Sequence, residues 1–312
     1  MIAYSFLGMF MVMLGFAEVF SSGSKYNRII RILTKTLLAI MVVALAIQAI
    51  ALGVRWYLSE HAPWSNGYEA IVFISAIGIL SGLLLYRNRN AFIPAAGALV
   101  ATIMMGFAHG GSMLDPQITL LEPVLKSYWL MVHVGIITSS YGFFGLSAVL
   151  SVISLILFSA KPTEKIERSI REMTIVNEMA LTVGIFALGV GTFLGGMWAN
   201  ESWGRYWSWD PKETWAFISV IFYAVVLHLR LVPRLRGKLT FNIASCWAIW
   251  SIIFTYFGVN YYLTGLHSYA AGDSIPVPPW IYITAAGMLI LSLTAYFRNK
   301  ASNKHKLIQA KA

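Results

Sequence analysis

Apolar and polar positions follow one another along this chain in long blocks. Nine mostly apolar runs, at about 2–20, 34–54, 68–86, 92–109, 128–157, 175–198, 214–232, 241–263 and 279–297, are separated by short polar segments. A helix crosses the hydrocarbon core of a bilayer with roughly 20 such residues, so the pattern predicts nine transmembrane helices. The expected fold class is all-α: a polytopic integral membrane helix bundle, with residues 1–312 forming a single membrane domain. The first run has no basic segment in front of it and carries Glu18 near its end, which argues for a retained span over a cleaved leader.

Composition agrees. The chain is 58% apolar and 12% charged, about half the charge density of a soluble domain, which excludes a soluble enzyme, a disordered chain and a disulfide scaffold. Its 23 basic residues against 13 acidic ones give a net charge of +10. Nineteen of the basic residues fall in alternate segments, around 25–35, 87–89, 161–171, 230–238 and 298–311, and the intervening segments hold only Arg55, Lys126, Arg205 and Lys212. Lys and Arg flanking short loops stay in the cytoplasm, so the N-terminus is expected outside a cytoplasmic (inner) membrane and the C-terminus inside. Topology accounts for the positive charge, and no nucleic-acid binding is expected. The outer loops, about 55–67, 110–127, 199–213 and 264–278, are too short for a separate domain, which directs chemistry to the outer face or between the helices. Cys246 is the one cysteine; it permits no intrachain disulfide and reads as a small buried apolar residue.

The densest chemical feature is residues 198–215, WANESWGRYWSWDPKETW, which hold five of the eleven tryptophans: Trp198, Trp203, Trp207, Trp209 and Trp215. Tryptophans also form interfacial belts, but here they interleave with Arg205, Asp210, Lys212 and Glu213. Indoles stack on a planar apolar ligand while Arg and Lys pair with carboxylates at its edge. Pro211 suits the first turn of the next span, where its missing N–H costs nothing.

Six histidines complete the candidate set. His305 lies in the basic tail, and His61 and His109 sit at outer loop margins. His133, about a turn into the fifth span, and His267, just beyond the eighth, are expected near the depth of the tryptophan loop. Two neutral imidazoles at one level meet the requirement for bis-axial ligation of a haem iron. His228 falls inside the seventh span toward its cytoplasmic end, where an ionisable group is a functional candidate by default.

The run WGRYWSWDPKETW resembles the tryptophan-rich signature of the haem-handling cytochrome c assembly proteins, specifically the CcsA (ResC) branch of the system II synthase. Arg55-Trp56 with Pro63, Asn66, Tyr68 and Glu69 resemble that family's segment before the third span. His133-Val134 to Tyr141 resemble its first external-histidine segment, His267 after Val259-Asn260 and Gly265 its second, and His228 its intramembrane histidine; Arg205 and Tyr206 fill a variable part of the motif. The resemblance implies cytochrome c biogenesis. Haem b would be carried from the cytoplasmic side past His228 to an external, periplasmic face. There His133 and His267 hold the iron, and Trp198, Trp203, Arg205, Trp207, Trp209, Asp210 and Trp215 form the binding region. It also implies a role in a holocytochrome c synthase (haem lyase) with three partners: apocytochrome c, a CcsB/ResB-type membrane subunit, and a thioredoxin-like thiol reductant. Ferrous iron is needed for thiol addition to the vinyl groups, which gives shielding nitrogen ligands a purpose; no general base stands out, and positioning is expected to dominate catalysis. The competing readings are a system I haem-handling subunit, a b-type cytochrome subunit in quinol electron transfer, and a small-molecule transporter. The last is disfavoured by few intramembrane charges and by the lack of paired broken spans.

Overall fold

The computed structural model describes residues 1–21, 24–86, 90–110, 114–118, 125–267 and 276–309, with the side chains of 24–26 and 303–309 left undescribed. Its long helices are α1 (Ile2–Phe20), α2 (Ser24–Ser59), α3 (Gly67–Leu84), α4 (Phe92–Gly110), α5 (Tyr128–Phe158), α6 (Glu164–Trp203), α7 (Pro211–His228) and α8 (Lys238–Ile253). A π-helical turn (Phe254–Gly258) joins α8 to the short α9 (Val259–Tyr262), and α10 (Pro279–Gln309) follows. Among the described residues, nine helical segments are long and apolar enough to cross a membrane, and each coincides with one of the nine sequence blocks. Arg87, Arg89 and Lys311 of the charge map lie outside the described residues, as do the side chains of Lys25, Lys304, His305 and Lys306.

Helix α6 begins some ten residues before the apolar block expected at 175–198. Thr163 caps it by accepting from the Ile166 N–H, and Glu164 and Glu167 occupy its first turn, where acidic groups favour the positive end of the helix dipole. Ile166, Ile170, Met173 and Val176 recur at helical spacing and are buried against Val19, Phe92 and Ile153. The basic residues Lys165, Arg168 and Arg171 therefore sit on a helix that extends the bundle, in place of the predicted loop. Helix α2 likewise starts at Ser24 instead of 34.

Small residues let the central helices approach closely. A Cβ at Gly97 of α4 would meet the Gly78 carbonyl oxygen of α3 at 2.6 Å and the Gly82 Cα at 3.3 Å, a contact of the kind that packs helices in lipid. Between α5, α6 and α8, the buried Asn177 amide binds Ser147, Ser151 and Asn242, so these polar groups are satisfied inside the bundle. Tyr4, Gln48 and Ser75 make a similar link between α1, α2 and α3. Peripheral α2 and α10 instead present exposed apolar residues such as Ile47, Ile50, Ile283 and Ile290, as lipid-facing helices do.

Chain alternation brings the C-terminal ends of α2, α6 and α9 and the N-terminal ends of α3, α5 and α7 to one end of the bundle, opposite the described basic segments. That end carries the tryptophan-rich segment.

Candidate functional site

Three local devices build this end of the molecule. Asn66 caps α3 in a reciprocal box with Glu69, whose buried carboxylate also pairs with Arg55 Nε at 2.8 Å. Gly204, in the left-handed conformation at φ 70°, stops α6 at the backbone setting that glycine adopts without strain. Asp210 caps α7, Pro211 opens it as the sequence predicts, and Glu213 closes the capping box. Trp209, just before the cap, holds a φ of 61°, which is strained for a bulky side chain.

The tryptophan segment is thus less of a loop than expected. Trp198 and Trp203 lie in the last turns of α6, Trp215 is in α7, and only Trp207 and Trp209 occupy the connection between the helices.

Between these elements lies a cavity of about 1060 Å³ whose walls include His61, Trp64, Tyr68, His133, Tyr141, Trp198, Trp207, Lys212, Tyr256, Asn260 and His267. His133 and His267 therefore share one chamber. They pack on the same face of α6: a Cβ at Gly195 would meet His133 Nδ1 at 2.8 Å, and one turn on, the Trp198 ring lies 5.5 Å from His267. Trp203 contacts His267 edge-on at 5.0 Å.

Each ring is oriented through the same atom. His133 Nδ1–H donates to the Gly191 carbonyl at 2.6 Å, and His267 Nδ1–H donates to Asp210 Oδ1 at 2.9 Å. Placing the proton on Nδ1 leaves the Nε2 lone pair for a metal, and such outer partners fix the ring angle of ligating histidines. The Asp210 carboxylate also accepts from Lys212 N at 2.9 Å and Leu266 N at 2.6 Å. Burial raises its pKa, but these hydrogen bonds and His267 outweigh that and hold the carboxyl below its usual range. Burial lowers the His267 pKa against the opposing pull of Asp210, so the imidazole is neutral at pH 7 beside an ionised carboxylate.

Not every predicted residue reaches the chamber. Arg205 and Trp209 are exposed and do not line it, with Trp209 leaning on Trp207 at 5.7 Å. Trp215 turns the other way, against Phe254 at 4.2 Å, and lines a second, apolar cavity of about 570 Å³. For Trp215 the reason is helical rotation, since successive residues of α7 leave its axis about 100° apart; Arg205 and Trp209 belong to the non-helical connection between α6 and α7, whose path turns them to the surface.

His228 lies toward the end of the seventh span as expected but does not face the bundle interior. It is the last residue of α7 and exposed on the bundle surface, with Nδ1–H donated to the Ala224 carbonyl at 2.7 Å. The apolar block gave its depth but not the side of the helix. His109 donates from Nδ1 to the Met105 carbonyl and lies off the chamber, whereas His61 lines it. Cys246 is fully buried, as expected.

Sequence reasoning did not single out Trp64 or the aromatic wall from Tyr256. Trp64 Nε1 donates to the Met131 carbonyl at 2.9 Å and its ring faces Gly135, so it braces the turn of α5 on either side of His133. Tyr256 comes from the π turn, a local widening common at functional sites that hydropathy does not register.

Residues 64–267 match the family model described as cytochrome C assembly protein. The chain is 46% identical over 263 residues to the protein NrfI of Wolinella succinogenes, covering 84% of this chain but 29% of NrfI. It is 32% identical over 274 residues to the cytochrome c biogenesis protein CcsA of Prochlorococcus marinus subsp. pastoris, covering 79% of this chain and 83% of that one. Against CcsA of Chlamydomonas reinhardtii the identity is 36% over 225 residues. The fold is similar to that of the cytochrome c heme lyase CcmF, with a TM-score of 0.58 at 15% identity, over 96% of this chain and 49% of the solved chain.

Proposed function

Because the chain belongs to the cytochrome c assembly protein family, we propose that it works in cytochrome c biogenesis, holding haem as a substrate in the chamber between His133 and His267. One observation carries the reading: two imidazoles in one chamber, each with Nδ1–H donated away and Nε2 left to bind iron. The donor set fits the ligand. About 1060 Å³ of space exceeds the upper end of ordinary small-molecule pockets, and its walls include the flat rings of Trp64, Tyr141, Trp198, Trp207 and Tyr256. Haem b supplies the two vinyl groups to which the thiols of apocytochrome c add. The protein's residues orient the iron, support the ring and restrict water at it.

The chamber lies at the end opposite the basic segments, so the charge distribution supports an external, periplasmic face on the cytoplasmic (inner) membrane. His228, exposed with its own Nδ1–H committed, suits an inner haem position completed by a histidine from a second polypeptide, a CcsB/ResB-type membrane subunit. The buried Cys246 is out of reach of exchange chemistry, so a thioredoxin-like partner keeps the substrate thiols reduced. The chain spans 29% of NrfI, and the further length of that relative leaves room for such a partner function in one polypeptide.

Replacing His133 or His267 with Gly tests the reading. Haem bound by the purified protein and cytochrome c maturation both fall, and added imidazole restores part of each by filling the vacant iron position. Normal haem content and maturation in both variants would overturn it.

A further inference from the structure

Lys212 occupies the first turn of α7 and its side chain lines the chamber shared by His133 and His267. Its Nζ donates to Asn260 Oδ1 at 2.6 Å and lies 5.9 Å from the centre of the Tyr256 ring. An ammonium has three donors, and among the described residues no carboxylate lies within ion-pair distance of this one.

The carboxylates nearest in sequence accept hydrogen bonds from groups other than this ammonium. Both oxygens of Asp210 are engaged, by Lys212 N and His267 on one side and by Leu266 N on the other. Glu213 Oε2 accepts from Ser208 N, Ser208 Oγ and Asp210 N. The other cations of this face are differently placed. Arg55 is held by Glu69 and two loop carbonyls, Arg205 is exposed outside the chamber, and Lys126 is exposed at its rim. Taking a cation out of water is costly unless an anion meets it; Glu60, Asp115 and Glu213 also line the chamber, but among the described residues none of them comes within ion-pair distance of this ammonium.

We infer that Lys212 is the residue that receives the carboxylate edge of the planar ligand, one propionate of the haem, and so sets the ring's rotation about the axis between His133 and His267. This rests on the reading of the chamber as a haem site. Asn260 steers the ammonium, and the aromatic wall at Tyr256 keeps it partly desolvated, which strengthens a charge-assisted hydrogen bond.

The test compares haem with its dimethyl ester, in which both propionates are neutral, by titrating each into the full chain in detergent and following the bis-imidazole absorption. The unsubstituted protein prefers the free acid by about tenfold to a hundredfold, the range of one hydrogen bond to a charged group. Lys212→Met and Lys212→Gln lose that preference while keeping the ester affinity, and Lys212→Arg and Arg205→Ala retain it. If the Lys212 variants keep the full preference, or if the unsubstituted protein binds acid and ester alike, the inference fails. Equal binding of acid and ester would assign the missing anion to another source, such as a carboxylate of the apocytochrome. Absence of any bis-imidazole signal in the unsubstituted protein removes the haem reading itself, which separates that failure from a failure at Lys212 alone.

Discussion

Asp210→Asn is the most informative single substitution, because one carboxylate ties together the start of α7, residue Leu266 and the His267 ring. Its Oδ1 accepts from Lys212 N and His267 Nδ1, both at 2.9 Å, and its Oδ2 from Leu266 N at 2.6 Å. Asn caps helices about as well as Asp, so α7 itself should survive. The amide, however, has a single acceptor oxygen. If that oxygen keeps the Oδ1 position, its NH2 confronts the Leu266 N–H; if the amide flips, the bonds to Lys212 N and His267 go instead. Either way at least one hydrogen bond to a charged acceptor is lost, worth about 1.5–3 kcal/mol, and the segment carrying His267 loosens. Losing the outer partner of a metal-bound histidine costs about tenfold to a hundredfold in metal affinity, and that is the expected weakening of haem binding. Protonation does not confuse the result: Asp210 raises the His267 pKa, so removing its charge leaves the ring still neutral at pH 7. Haem titration of the purified variant, with thermal unfolding alongside to confirm an intact bundle, measures the effect. A haem affinity within twofold of the parent, with an unchanged bis-imidazole spectrum, would refute the role given to Asp210.

Three further outcomes follow from the same geometry. Gly195→Ala places a Cβ 2.8 Å from His133 Nδ1, so the ring must turn from Gly191; haem retention should drop severalfold with little loss of fold, and undisturbed binding would show that His133 does not ligate in this rotamer. Haem retention should be flat above pH ~6.5 and decline only below it, because burial depresses the His267 pKa: the unfolded chain takes the proton first, so stability falls between the unfolded and the lower folded value, and a midpoint at or above 6.5 contradicts this. His228→Ala, co-expressed with the proposed CcsB/ResB-type subunit, should deplete haem at the chamber although His133 and His267 are intact; pyridine haemochrome assays showing normal haem there in a stable variant would end the proposed conduit role of His228.

Hydropathy blocks determined the number and depth of the helices, since crossing an apolar layer is a requirement on length and composition alone. The Asp-Pro-Lys-Glu run announced the start of α7, because capping is set within four residues. Pairing of His133 with His267 was legible as a matter of depth, each lying near the same end of its span. Azimuth was not legible. A span that is apolar all round gives no sign of which side faces its neighbours, so only packing could turn Trp215 away from the chamber, bring in Tyr256, and leave His228 on the surface; the path of the α6–α7 connection likewise decided between Arg205 and Lys212, which the motif offered equally. The extension of α6 through Glu164 escaped the hydropathy reading for a related reason. Ile166, Ile170 and Met173 form a stripe too narrow to register as an apolar block, and become a core face only where α1, α4 and α5 meet them.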